Sequence, residues 1–241
     1  METTEGHLLG GRVRYAQPRT GFRSGIEPVL LAATVPARAG ERVIEAGSGA
    51  GAALLCLAAR LPGIAGLGVE RDPALAVLAR HNAAANGFGA LAFVAADIAA
   101  LPVESGPFDH AFANPPYHAE AGTASPVAQR DAAKRAHAGL FGLWTARLAA
   151  LLRPRGTLSL IVPAAALPAC LAALEAAYCR PVWVLPLWPK PDRAAKLVLL
   201  RGIKGGRGQL CLLPGLVLHT PEGGFTDAAE AILRRGEALN G

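Results

Sequence analysis

The stretch FANPPYHAE carries four residues, Asn114, Pro115, Pro116 and Tyr117, whose types and order can do chemistry. Two consecutive prolines remove two backbone donors and fix two φ angles, so the chain after Asn114 is stiff and its carbonyls are left without partners. Whatever meets this bend finds fixed carbonyl acceptors, one amide side chain and one aromatic ring. The preceding FDHAFA reads as a short buried strand that the bend ends abruptly.

Other groups that can do chemistry also close strand-like runs. ERVIEAGSGAG gives a strand over 42–46, a turn containing Gly47, Ser48, Gly49 and Gly51, and then an Ala/Leu helix. GIAGLGVERD ends a second strand at Glu70 and is followed by a helix that Gly87 terminates. ALAFVAAD ends a third at Asp97, and FDHAFA is the fourth. A helix over about 130–152, the strand GTLSLIVP and the helix AAALPACLAALEAAY follow. Strands alternating with helices of this length imply an α/β fold with a parallel sheet covered on both faces. CRPVWVLPL, AAKLVLLRGI and QLCLLPGLVLH are strand-like runs with little helix between them, expected at the sheet edge as a hairpin plus a short extra element. One domain is expected over 1–241, with an N-terminal arm (1–23), a core (24–203) and a C-terminal extension (204–241).

Ligands of doubly wound sheets bind at the carboxyl ends of the strands. The glycine pattern is GxGxG, unlike the GxGxxG of a dinucleotide pyrophosphate site. Glu70, 23 residues after Gly47, is placed to accept hydrogen bonds from both ribose hydroxyls, and Asp97 can accept from an adenine amino group. Together these suit S-adenosylmethionine better than NAD.

VIEAGSGAG, GVERD, VAADI and ANPPY, in this order and spacing, resemble the class I S-adenosylmethionine-dependent methyltransferases. The resemblance implies a Rossmann-like fold with a mostly parallel sheet, helices on both faces and a C-terminal antiparallel hairpin. It implies cofactor contacts from Gly47, Ser48, Gly49, Gly51, Glu70, Arg71, Asp97, Ile98 and Asn114, and catalysis by Asn114, Pro115, Pro116 and Tyr117. NPPY is that class's signature for methylating an amino nitrogen on a planar group. The nitrogen lone pair is delocalised; the Asn114 side-chain oxygen and the Pro115 carbonyl can each accept one N–H bond and aim the lone pair at the methyl donor, while Tyr117 stacks on the base. GGRVRYAQPRTGFRSGIEPVLLAA, RDAAKRAHAG and KLVLLRGIKGG are similar to one branch, the bacterial methyltransferases forming N6-methyladenosine in a valine tRNA anticodon loop. In that branch GFRSG lies over the methionine end of the cofactor, which points to Arg23. Glu27 stands where Asp is expected, and Ser24 with Glu27 also fits a capping box.

Net charge is +6, and 180–207 holds seven basic residues against the single acid Asp192, an excess equal to that of the whole chain. Trp183 and Trp188 lie in the same stretch. Basic residues interleaved with aromatics suit a polyanion with exposed bases, so Lys190, Arg193, Lys196, Lys204 and Arg207 are expected to bind nucleic acid, with tRNA as the partner. Adenine in other RNA or DNA, and the glutamine of a release factor, are rival substrates. The 18 uncharged residues from Thr157 to Leu174 reach the length of a membrane span, but Pro163 and Pro168 favour a strand, turn and helix. The histidines show no metal-ligand spacing, so no metal is expected. Cys56, Cys170, Cys179 and Cys211 form no CxxC pair and read as core residues of a protein in a reducing, cytoplasmic compartment.

Overall fold

The computed structural model describes residues 1–20, 23–116 and 127–239, with side chains except at 127–138. Tyr117 lies outside the described residues. The chain opens with an antiparallel pair, β1 (Thr3–Leu8) and β2 (Val13–Pro18), and then α1 (Glu27–Thr34). An alternating series follows: β3 (Arg42–Ala46), α2 (Ala52–Arg60), β4 (Ala65–Glu70), α3 (Pro73–Ala85), β5 (Leu91–Ala95), β6 (Phe108–Ala113), α4 (Val127–Leu151), β7 (Leu152–Pro163) and α5 (Leu167–Ala176). β8 (Cys179–Trp188), β9 (Leu197–Lys204), β10 (Cys211–Leu212), β11 (Leu216–Val217) and α6 (Asp227–Leu233) complete it.

The nine-stranded sheet runs β10-β8-β9-β7-β6-β3-β4-β5, with β11 also on β8. β3 through β7 are mutually parallel where they pair, whereas β9 is antiparallel to both β7 and β8. The C-terminal hairpin expected from the sequence is β8–β9. Its second strand is not at the edge, however: β9 inserts between β7 and β8, where LVLL is buried on both faces. The uncharged run Thr157–Leu174 is β7 followed by α5, and among the described residues no helix is long and apolar enough to cross a membrane.

Side-chain alternation divides the core between the two sheet faces. Val43 and Phe112 point into a cluster with Leu30 and Leu31 of α1, Leu54 and Leu57 of α2, and Ile232 of α6. Ile44, Ala111 and Ala113 point the other way, against Phe141 and Leu148 of α4 and Cys170 and Leu174 of α5. At roughly 25 cal/mol per Å² of apolar surface removed from water, these two layers are what hold the sheet between its helices. Local signals agree with the tertiary structure at α3. Asp72 caps it through Ala74 N–H at 2.8 Å, Pro73 opens it, and Gly87 and Phe88 N–H bond back to Ala84 and Ala83 carbonyls in a Schellman ending.

Two expectations need correction. The capping box before α1 is not formed: Ile26 is the N-cap without a side-chain bond, and the Ser24 hydroxyl instead pairs with Tyr15 Oη at 2.8 Å. The buried Tyr15 hydroxyl needs a partner, and that demand outcompetes local capping. Cys56, Cys170 and Cys179 are buried, but Cys211 is exposed because β10 is the outermost strand. In the N-terminal segment, Val13 and Tyr15 are buried, and β2 packs on α2 and α3.

At the sheet end opposite the strand carboxyl termini, His110 in β6 is buried between Thr157 Oγ1 (2.8 Å) and Glu41 Oε2 (2.9 Å). A carboxylate only accepts, so Nε2 carries the proton and Nδ1 accepts from the Thr157 hydroxyl. Burial outweighs Glu41 and holds the imidazole below its ordinary pKa of 6.5. A depressed folded-state pKa contributes stability above 6.5 that is lost as pH falls through the folded value. Urea unfolding between pH 7.5 and 5 is therefore expected to show a loss of stability from this group as the pH falls below 6.5. His110→Gln should be less stable at pH 7.5 and have a flatter profile, and equal slopes for the two proteins would refute the assignment.

Candidate active site

The loop after β3 is built by glycine conformations and by the end of the neighbouring strand. Gly47, Gly49 and Gly51 have φ of 66°, 54° and 91°, the left-handed region that only glycine enters without strain. The N–H groups of Gly47 and Ser48 both donate to the Val69 carbonyl, at 2.8 and 3.2 Å. One residue on, Glu70 accepts from Gly49 N–H at 2.8 Å through Oε2 and from Asp72 N–H at 2.9 Å through Oε1. Each carboxylate oxygen has a second lone pair, so Glu70 can hold the loop and still accept from a ligand. Asp97 accepts from Ala99 N–H with Oδ1 at 2.9 Å and is otherwise exposed.

Asn114 follows β6 directly. Its Oδ1 is buried and has no hydrogen-bond partner among the described residues. An unpaired buried amide oxygen costs on the order of 1–3 kcal/mol, so this acceptor is set up for a donor brought by a ligand. Pro115 is buried and Pro116 exposed.

These ends share one cavity of about 610 Å³, lined among others by Gly47, Gly49, Glu70, Arg71, Asp97, Ile98, Asn114, Pro115 and Pro116. Its order follows the sheet: Asn114 ends β6, Gly47 follows β3, Glu70 ends β4 and Asp97 follows β5, all in parallel register. At about 4.8 Å per strand, Asn114 and Asp97 are separated by roughly 14 Å along the strand ends, with the glycines and Glu70 between them. Leu140, Leu143 and Trp144 of α4 form the apolar wall. Trp144 lies so close over Gly47 that a Cβ there would come within 2.7 Å of the indole. The sequence reading missed Trp144, which is 97 residues from Gly47, with nothing local to link them.

It also missed Glu45, buried in β3 two residues before Gly47, whose Oε2 accepts from Leu54 N–H of α2 at 3.1 Å. Burial pushes its carboxyl well above the usual range. An acid inside the apolar run VIEA was the available signal.

Several expected site residues are elsewhere. Ser48 is buried beneath the loop and Gly51 opens α2 against Phe93; neither lines the cavity. Arg23 is exposed and does not line it either. The five basic residues fall at both ends of the sheet. Lys190, Arg193 and Lys196 lie in the β8–β9 connection, at the same end as Asn114, because β8 runs parallel to β7. Lys204 and Arg207 lie at the opposite end, where Lys204 Nζ donates to the Leu152 carbonyl at 2.6 Å. Arg201 is spent internally, over Trp183 at 4.0 Å and bonded to the Thr34 carbonyl. Trp188 donates its indole N–H to the Pro214 carbonyl at 3.1 Å, a packing role. Among the described residues no group of three His, Cys, Asp or Glu side chains is placed to hold a metal ion.

A parallel sheet into which one antiparallel strand, β9, is inserted, and a strand-end cavity whose acids and glycines lie in this order, define a methyltransferase that uses S-adenosylmethionine. The family described as a methyltransferase domain matches residues 37–188. A tRNA1(Val) (adenine(37)-N6)-methyltransferase of Aeromonas hydrophila subsp. hydrophila is 31% identical over 215 residues, which span 87% of this chain and 87% of the relative. The chain belongs to this family of methyltransferases. A release factor glutamine methyltransferase of Rhodospirillum rubrum is 37% identical over 128 residues, but these span 50% of this chain and 39% of that longer protein. Among solved structures, a protein of Agrobacterium tumefaciens described as a predicted O-methyltransferase aligns with a TM-score of 0.73 at 26% identity, over 88% of this chain and 97% of its own. The fold is also that of the Thermus thermophilus 16S rRNA N2 G1207 methyltransferase in complex with AdoMet and guanosine (TM-score 0.58, 20% identity, 84% of this chain and 50% of that one).

The cavity fits the cofactor: Glu70 and Asp97 keep free lone pairs, Gly47 and Gly49 leave the loop surface bare of side chains, and Asn114 Oδ1 waits at the far end. Glu70 and Asp97 should then respond differently to truncation. Glu70→Ala removes two internal bonds as well as ligand acceptors, so it should lower both thermal stability and affinity for S-adenosylhomocysteine. Asp97→Ala should weaken that affinity about tenfold with little change in melting temperature. Calorimetry and thermal melting of both variants check this, and wild-type affinity in both would remove the cofactor from this cavity.

Proposed function

We propose that the enzyme methylates the exocyclic N6 amine of an adenine in RNA, with a tRNA as the substrate. The observation that carries this reading is the buried Asn114 Oδ1, without a hydrogen-bond partner among the described residues and held at the end of β6 by the Pro115–Pro116 bend inside the cavity. An amine conjugated to a ring is a poor nucleophile. The Asn114 amide oxygen accepts one of its N–H bonds and the Pro115 carbonyl the other, which withdraws the nitrogen lone pair from the ring and fixes its direction. Leu140, Leu143 and Trp144 give the cavity an apolar wall, which strengthens such hydrogen bonds. Tyr117 is proposed to stack on the base. When bound, S-adenosylmethionine supplies an activated methyl group. No strong base is needed beside Asn114, since the methylated amine loses its proton readily.

The choice of RNA rests on coverage and charge. The similarity to the adenine-N6 relative extends over most of both chains, whereas that to the glutamine relative is confined to about half of this one. Arg193 and Lys196, exposed at the sheet end that carries the cavity, supply cations that could follow a phosphate backbone, beside Lys190, whose Nζ also donates to the Pro221 carbonyl. The glutamine reading keeps a specific observation in its favour, the 37% identity over those 128 residues, and an amide presents the same nitrogen problem. Incubation with labelled cofactor and separate tRNA, rRNA, DNA and release-factor pools, followed by location of the label, decides between them.

Asn114→Ala should lose most methyl transfer, equivalent to about 2–4 kcal/mol of transition-state stabilisation, while S-adenosylhomocysteine affinity changes little. Full activity in this variant would remove Asn114 from the chemistry. Replacing Lys190, Arg193 and Lys196 together should raise the apparent KM for RNA and flatten the salt dependence of binding by roughly 0.7–0.9 in log–log slope per lost phosphate contact. An unchanged slope would leave the three as a solvated face.

A further inference from the structure

Asn82, on α3, is 2% exposed and belongs neither to the cavity lining nor to any motif discussed above. Its amide connects two parts of the chain that are distant in sequence. Oδ1 accepts from Ala16 N–H of β2 at 2.9 Å, and Nδ2 donates to the Ala16 carbonyl at 2.8 Å and to the Ala50 carbonyl at 3.0 Å. Both amide protons are thereby used. Ala50 sits between Gly49 and Gly51, inside the loop that faces the cofactor cavity.

The Ala50 carbonyl depends on this bond. The ordinary helical donor to it would be Leu54 N–H, four residues on, but that group is taken by Glu45. The helical ladder of α2 begins instead with Leu55 N–H on the Gly51 carbonyl. Ala50 is 4% exposed, so its carbonyl would otherwise be buried without a donor.

Four residues further along α3, Asn86 makes the matching pair of bonds to Arg14, accepting from its N–H and donating to its carbonyl, both at 2.8 Å. Four helical residues rise about 6 Å and two strand residues about 6.8 Å, so the two amides meet Ala16 and Arg14 in step. They serve β2 as a substitute strand on the edge that β1 leaves free. Asn86 does not reach the loop; its remaining bond goes to the Asn82 carbonyl at 2.7 Å.

We propose that Asn82 is a positioning residue through which docking of the N-terminal hairpin sets the conformation of the glycine loop, so that cofactor affinity depends on the hairpin. The two asparagines separate this coupling from hairpin docking alone, because each removes one clamp from β2 and only one of them touches the loop.

The test is calorimetry with S-adenosylhomocysteine, well below the melting temperature, on Asn82→Ala, Asn82→Asp and Asn86→Ala. Asn82→Ala should weaken binding about tenfold, and Asn82→Asp, which keeps an acceptor for Ala16 N–H but loses both donors, should do the same. Asn86→Ala should destabilise the hairpin comparably yet stay within about twofold of wild type in affinity. Native-state hydrogen exchange on the wild-type protein reads the coupling without substitution. S-adenosylhomocysteine should slow exchange at Ala16 N–H, which donates to Asn82, more than at Arg14 N–H, which donates to Asn86. Equal affinity losses in the Asn82 and Asn86 variants, or wild-type affinity in Asn82→Asp, would overturn the proposal. If the Asn82 variants do not fold, equal protection of Ala16 and Arg14 overturns it on its own.

Discussion

Two N–H groups converging on one carbonyl, those of Gly47 and Ser48 on Val69, fix where β3 stops and how its chain turns. The bond pair ties the loop to the neighbouring strand instead of to itself, so the loop inherits the sheet's register. Glu70, the next residue of β4, repeats the tie at Gly49 and extends it to Asp72 at the start of α3. One strand end therefore positions the glycine loop, the acid beside it and the following helix. The geometry tolerates no side chain at its closest points: a Cβ on Gly47 would meet Trp144 at 2.7 Å, and one on Gly68 would meet Phe93 at 2.3 Å. Packing density, more than backbone flexibility, makes glycine obligatory at Gly68, whose φ is not in the left-handed region.

The cationic residues serve two purposes that a charge count cannot distinguish. The C-terminus of α1 carries no glycine cap, and its last carbonyls are satisfied from outside. Arg60 of α2 donates to the Ala32 and Val35 carbonyls, Arg201 of β9 to Thr34, and Leu239 N–H to Ala33. Two guanidinium groups at the negative end of a helix complement its dipole and keep a buried terminus paired. Both are partly desolvated, which lowers their pKa, yet an arginine stays charged through such a shift. Arg201 thus belongs to the architecture and Lys190 donates to the Pro221 carbonyl at 2.9 Å, while Arg193 and Lys196 remain exposed at the sheet end that carries the cavity.

How much could be read beforehand follows the range of the forces involved. The alternation of strands and helices, the Schellman ending at Gly87 and the acids closing β4 and the strand after it are local patterns, and each appears where expected. The direction of a strand is not local. The hairpin was legible, but nothing between Arg180 and Arg207 states that β9 inserts between β7 and β8, the placement that leaves Lys204 and Arg207 at the sheet end away from Asn114. Ser24 and Glu27 had the right spacing for a capping box, but the buried Tyr15 hydroxyl competed for Ser24 from nine residues away. Trp144 and Asn82 were illegible for the same reason. Their roles are set by what packs against them, and neither contact has a spacing rule.

On the proposed reaction, the distribution of charge in the cavity has a physical logic. Among the described residues, the two acids of the cavity lining, Glu70 and Asp97, lie roughly 10 and 14 Å from Asn114 by strand spacing, while Asn114 itself is followed by two prolines. Methyl transfer from a sulfonium to an amine relocates a positive charge without creating one, so the reacting end needs no counter-ion and gains from being dry. A carboxylate there would hold a cation in place and would carry its own water. A neutral amide oxygen accepts a hydrogen bond without that cost, and burial makes the bond stronger. The acids are accordingly kept where a nucleoside's hydroxyls and amino group can use them, and the sheet's strand order is what keeps the two chemistries apart.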